Sequence, residues 1–194
     1  MLSWGFSLIC GCTCASAQDS RKIPIVPSEK VGDYWIAKGK FDPSQLDRYS
    51  VKGIPPGTMA CINMGFIIES SGDTSNLAIL KAAVDSKNFA MFDASKPYRM
   101  LGLVAFTPFE ILRYRPGLKN QAKEALLTNF PFVYLDARLD RQLSVNQRQE
   151  LVSRIRLSCV IGDLRGWITS HGMNEPVVVE LPNVDDILTP SFPK

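Results

Sequence analysis

Histidine is almost missing from this chain. His171 is the only one in 194 residues, and it stands in Thr169-Ser170-His171-Gly172, a turn-like stretch with no second metal ligand at helical spacing and no cysteine close by. A loop histidine on the surface is the reading these neighbours favour. Also lacking are a G-x-S-x-G elbow, a phosphate-binding P-loop, a dinucleotide fingerprint and a Cys-x-x-Cys pair, so the residues make a thin case for an enzyme and name no cofactor. Carboxylate acid–base chemistry stays open only through the scattered Asp93, Asp136, Asp140, Asp163, Asp185 and Asp186. No run of Lys and Arg is long enough to track a phosphate backbone, and the net charge is only +3, so nucleic acid is not an expected partner. No apolar stretch reaches the ~20 residues that a bilayer-spanning helix needs. Internal repeats and low-complexity tracts are missing too.

The composition itself is ordinary. At 45% hydrophobic and 21% charged residues, the chain can bury a real core as one domain or one domain with an appendage. Its first residues stand apart. From Leu2 to Cys14 there is no charge, and Ala15-Ser16-Ala17 supplies the small-x-small pattern read by signal peptidases before polar Gln18. Residues 1–17 are therefore expected to be a secretory signal, although no Lys or Arg precedes the apolar run. Ile9-Cys10-Gly11-Cys12 loosely resembles a lipobox, and on that alternative Cys12 would become an acylated N-terminus. Removing the signal leaves Cys61 and Cys159, an even pair compatible with one disulfide in an oxidising compartment or with two separate buried thiols.

The clearest structural message comes from residues 59–82. Ile62, Met64, Phe66 and Ile68 recur every second residue and share one strand face, while Cys61, Asn63, Gly65 and Glu69 fall on or near the other; Ile67 breaks that polar face. Glu69-Ser70-Ser71-Gly72-Asp73 supplies turn chemistry, and Leu77 and Ile79 resume the alternation, so the pattern predicts a β-hairpin. Upstream, residues 18–58 carry Pro24, Pro27, Pro43, Pro55 and Pro56, which predicts an extended lead-in with a short strand around Tyr34-Trp35-Ile36-Ala37 and a helical turn at Asp42-Pro43. Downstream, Phe92-Asp93-Ala94-Ser95 reads as a helix start, with Met100, Leu101 and Val104 as its apolar stripe and Pro108 as its stop. A second helix is expected over residues 118–127, then a strand over 130–135 whose Pro131 suits an edge. Ser144 with Gln147 forms a capping-box signature ahead of Val145, Leu151, Val152, Ile155 and Cys159 at helical spacing. A short helix near 164–168 and a strand over 177–181 end the series, with Asp185 and Asp186 capping or solvating a final turn. The order strand, strand, helix, strand indicates an α+β fold, a small antiparallel sheet with a helix packed on one face.

These residues resemble the C-terminal domain of TonB-type energy transducers over about 49–136. Phe66, Ile68 and Gly72 hold that family's phenylalanine, isoleucine and turn glycine with unbroken spacing, and Asn76, Leu77, Ile79 and Leu80 continue it. Tyr49 and Gly57 fall where the family has a tyrosine and a glycine, Phe92-Asp93 matches its helix start, and Phe106-Thr107-Pro108 matches its aromatic-x-Pro exit with one residue inserted. Ser50 stands in place of the usual proline, Ala60 in place of a glycine, and the tryptophan before the exit is missing. The link over 110–129 is longer than usual, and residues 139–194 have no counterpart.

The resemblance implies a ββαβ domain at 49–138, preceded by the signal (1–17) and the lead-in (18–48) and followed by a helix-and-strand extension (139–194). It also implies an exported periplasmic, non-enzymatic domain linked to envelope transport, binding an envelope protein by strand addition at a sheet edge. With no spanning helix and no long Pro-rich spacer, such a chain would not transduce energy by itself. The alternatives from other classes are a small secreted enzyme or inhibitor whose extension covers a cleft, and a lipid-anchored envelope protein. Arg138, Arg141, Arg148, Arg154, Arg156 and Arg165 gather in the extension and predict a basic helix face, either solvated or facing an acidic partner or anionic lipid. Function is expected at the sheet edge and on the outer face that carries Cys61 and Asn63.

Overall fold

A computed structural model describes residues 23–39, 57–85, 112–173, 175–182 and 184–188. The hairpin is its centre: β2, Met59–Ile68, and β3, Thr74–Asp85, pair antiparallel through a turn in which Gly72 has φ +86°. Gly72 is required twice over, because a Cβ there would also sit 2.2 Å from the Tyr114 carbonyl oxygen. The pairing is interrupted between Asn63 and Met64 and between Gly65 and Ile67, so the longer β3 bulges against β2. One result is that Leu80 swings into the space over Gly65, where an added Cβ would lie only 2.9 Å from its Cδ1.

Strand β5, Leu126–Leu135, pairs antiparallel with β2, and β6, Val177–Leu181, pairs parallel with β3. The sheet order is β5-β2-β3-β6. A separate two-stranded ribbon joins β1, Trp35–Lys38, to β4, Arg113–Pro116, also antiparallel. Helix α1, Val31–Tyr34, precedes β1 after a 3-10 turn at Ser28–Lys30. Four helices follow β5 or β6: α2, Ala137–Gln142; α3, Val145–Cys159; α4, Leu164–His171; and α5, Val184–Leu188.

Both faces of the hairpin are covered, and for that reason every residue of β2 is buried. The alternating face of Ala60, Ile62, Met64, Phe66 and Ile68 packs with Val26, Trp35, Tyr114 and Leu126. The opposite face is where the chain end closes the fold: Met59, Cys61 and Ala83 meet Leu151, Ile155 and Cys159 of α3, with Leu181 and Ile187. Beside them Leu80 packs with Ile161 and Leu164 at the start of α4. Spacing of four residues along α3 puts its three buried side chains in one line, and Ser144 and Gln147 form the reciprocal capping box that fixes where this helix begins. At full burial each such aliphatic side chain contributes ~2 kcal/mol.

The α+β class stands, with one parallel pair added by β6. Several expectations need correction. Residues 118–125 form turns rather than a helix, because Asn120 takes the backbone of Glu124 with both ends of its amide (2.8 and 2.9 Å), Gln121 Nε2 donates to the Gly117 carbonyl (3.1 Å), and Lys123 has φ +56°. Leu118, expected to face inward, is exposed, and so is Val145. The face bearing Cys61 and Asn63 is not an outer surface, since both are fully buried under α3. The extension beyond 139 is built into the sheet and its core. The signal over 1–17 with Cys12, the helical turn at Asp42-Pro43 and the helix expected after Phe92 lie outside the described residues.

Candidate binding site at the edge of strand β5

Strand β5 borders the sheet, and its backbone can be assigned side by side from its two ends. At one end the Leu127 N–H donates to the Pro24 carbonyl and the Leu127 carbonyl accepts from Val26 N–H, both at 2.9 Å, so Leu127 presents its backbone away from β2. Just past the other end, Asp136 N–H donates to Thr58 at 3.0 Å, toward the β2 side. Strand alternation then turns Asn129, Pro131, Val133 and Leu135 outward and Thr128, Phe130, Phe132 and Tyr134 inward. Pro131 thus lacks its N–H on the side where no ladder bond is lost, which is how a proline fits an edge strand. The lead-in already uses this edge as a parallel bridge at Leu127, then leaves it at Pro27. Among the described residues no backbone segment pairs with it over 129–135.

Alongside this edge lies a cavity of about 760 Å³. One wall comes from α1, β1 and β4, with Val31, Trp35 and Tyr114; another is β5, with Phe130, Phe132 and Val133; the third is α3, with Val152 and Arg156. The first wall is held in place by hydrogen bonds to distant parts of the chain. Trp35 Nε1 donates to the Glu124 carbonyl (3.1 Å), Gly117 N–H to Tyr34 (2.7 Å), and Tyr114 N–H to Gly72 (2.8 Å). The ribbon is therefore stitched both to the hairpin turn and to the turns before β5.

Charge is sparse on the lining. Asp140 Oδ1 lies 2.6 Å from Arg148 Nε, a contact whose N–H direction makes it an ion pair rather than a hydrogen bond; Arg148 also donates to the Asp140 carbonyl at 3.0 Å. Arg154 is engaged by Glu150 at 2.6 Å. Arg156 has no acidic partner among the described residues, and its exposed side chain borders the cavity. Burial pushes the Tyr114 hydroxyl up to about 12; the Tyr134 hydroxyl is raised too, first by burial and then by the negative charge of Asp136.

Of the residues singled out in the sequence, Pro131, Asp140 and Arg156 line this cavity, and the cysteines, His171, Asp136 and Asp163 fall elsewhere. Cys61 and Cys159 are joined by a disulfide, Cα to Cα 5.8 Å, which ties the central strand to the last turn of α3. Beside it Asn63 Nδ2 donates to the Cys159 carbonyl (2.9 Å) and Asn129 Nδ2 to Asn63 Oδ1 (3.0 Å), a buried polar chain that fixes the same seam. His171 ends α4 instead of standing in a loop; its ring stacks on Trp167 at 4.3 Å and its Nδ1 is 2.8 Å from Ser170 Oγ. Asp136 and Asp163 cap α2 and α4 through the N–H groups of Arg138 and Gly166. Among the described residues no group of three His, Cys, Asp or Glu side chains is placed to hold a metal ion, and no helix is long and apolar enough to cross a membrane. Trp35, Tyr114 and Arg156 as cavity walls had no local signature, because they come together only through the ribbon and α3. No protein-family model, curated protein or solved structure matches the chain.

Proposed function

We propose that this chain is an exported, periplasmic, non-enzymatic domain of TonB C-terminal type that works through protein contacts, receiving a strand from another envelope protein along β5. The observation that carries the reading is the outward backbone of Asn129, Val133 and Leu135 beside an apolar cavity, on an edge that the chain's own lead-in already pairs with at Leu127. Strand addition supplies affinity through main-chain hydrogen bonds, and pockets for alternate side chains supply selectivity. A proline in the middle of the edge withholds one donor, which suits a site that must avoid joining to any strand it meets. The Cys61–Cys159 disulfide supports the export reading, since such bonds persist in oxidising compartments.

Hydrogen exchange with and without envelope extract tests the reading. Slower exchange of the Asn129, Val133 and Leu135 amides in the extract is the expected result. Unchanged exchange at those amides, with the partner shown to be present by cross-linking to another site, would overturn it. Mass spectrometry of the mature N-terminus decides between secretion, with Gln18 first, and the lipid-anchored alternative, with an acylated Cys12.

A further inference from the structure

We propose that the cavity beside β5 is a site for a single-chain amphiphile with a carboxylate head, its tail lying along Phe130 and Phe132 and its head at Arg156. The inference goes beyond strand addition and does not depend on it. A volume of about 760 Å³ falls in the range of small-molecule sites, which run to roughly 300–1,000 Å³ and combine apolar walls with a few polar groups that set orientation. Here the walls are supplied by Val31, Trp35, Phe132 and Val152. That much apolar lining selects a hydrocarbon chain.

The head group follows from charge. Two ionised side chains border the cavity, Asp140 and Arg156. Asp140 is neutralised by Arg148 at 2.6 Å, which leaves Arg156 as the uncompensated cation at an otherwise oily wall. A guanidinium presents a planar fork of donors that matches a carboxylate in two parallel hydrogen bonds. An anionic head therefore gains at Arg156 what an uncharged head would not, while a cationic head would meet repulsion. The aromatic side chains suit a flexible alkyl chain, because Phe130 and Phe132, which are both exposed in part on the lining, offer flat surfaces without further polar demands on the ligand.

Titration of the purified full chain with dodecanoate and with dodecanol, both below their aggregation concentrations, reads the proposal through tryptophan fluorescence, since Trp35 forms part of the wall. Saturable binding of dodecanoate is expected, about tenfold tighter than the alcohol, with affinity rising about fourfold for each methylene added from decanoate upward. Arg156→Ala should remove the preference for the acid, whereas Arg154→Ala, whose charge is engaged by Glu150, should keep it. Gly32→Phe should block both ligands: Gly32 lines the cavity and a Cβ there meets nothing within 4 Å, so the ring can enter the space without a clash at its root. If that variant fails to fold, Val152→Trp fills the same space from α3. Absence of saturable binding, equal affinity for acid and alcohol, or full binding by a folded blocked variant would overturn the proposal. None of these outcomes bears on strand addition, because no partner strand is present in the titration.

Discussion

Reducing the Cys61–Cys159 bond should remove a large share of the stability of this molecule. The two cysteines are 98 residues apart in sequence, and closing a loop of this length removes enough freedom from the unfolded chain to stabilise the folded one by about 4.7 kcal/mol. For a domain of this size each kcal/mol moves the melting temperature by roughly 2–4 °C, so the oxidised protein should melt about 10–20 °C above the reduced one. The loss should also have an address. Leu151, Ile155 and Cys159 hold α3 on the second face of the sheet, so amides of α3 should exchange faster on reduction, well before those of the β2–β3 pair. The assay is calorimetry of the native, the reduced and the Cys61→Ala/Cys159→Ala forms, with hydrogen exchange on each. Because both sulfurs are fully buried, reduction should need partial unfolding, and the double variant supplies the comparison without reductant. Equal melting of all three forms would refute the reasoning, as would exchange that rises in the hairpin and not in α3.

Asn63→Leu should destabilise by about 3 kcal/mol in urea unfolding, because it leaves the Cys159 carbonyl and the Asn129 amide buried without their partner. Gly72→Ala should lose ~2–4 kcal/mol by the same measure, since the residue must keep φ +86° and its Cβ would press on the Tyr114 carbonyl. Stability should fall at alkaline pH through Tyr114: its hydroxyl is held up to about 12 in the folded protein against ~10 in the unfolded chain, so the unfolded state releases the proton first. Between those values the contribution declines by ~1.4 kcal/mol per pH unit, and Tyr114→Phe should flatten that decline when unfolding is followed from pH 9 to 11.5. Ser144→Ala should cost ~1 kcal/mol by removing the cap of α3.

The hairpin could be read from the sequence because its determinants are local: period-two alternation in β2 and a glycine where the backbone needs positive φ. The capping box of α3 and the strand β6 were legible for the same reason. What misled was the second face of β2. Cys61, Asn63 and Gly65 look like the solvent side of an amphipathic strand, yet each has a distant partner, Cys159 for the first two and Leu80 for the third. A small or polar residue marks a close inter-element contact as readily as it marks exposure. Helical spacing over 118–127 failed because Asn120 gives its side chain to the backbone of Glu124, a competition that periodicity does not register. The cavity was invisible for a further reason: its walls come from chain segments that meet only in the folded molecule, and Arg156 becomes distinctive only once Arg148 and Arg154 are seen to be paired.

The covering of one sheet face by the last part of the chain has a consequence for how the protein is made. When β2 and β3 have left the ribosome, the side chains of Met59, Cys61 and Ala83 still lack α3, whose first buried residue is Leu151, and before it arrives they gain only partly buried neighbours such as Val133 and Leu135 of β5. During that interval the nascent protein carries an oily surface and a thiol, Cys61, whose proper mate Cys159 comes only with the end of α3. A chain halted near residue 138 would be an unfinished domain rather than a smaller one, open to clumping and to wrong thiol pairing. Survival of the newborn chain therefore depends on holding that surface apart until α3 comes down over it.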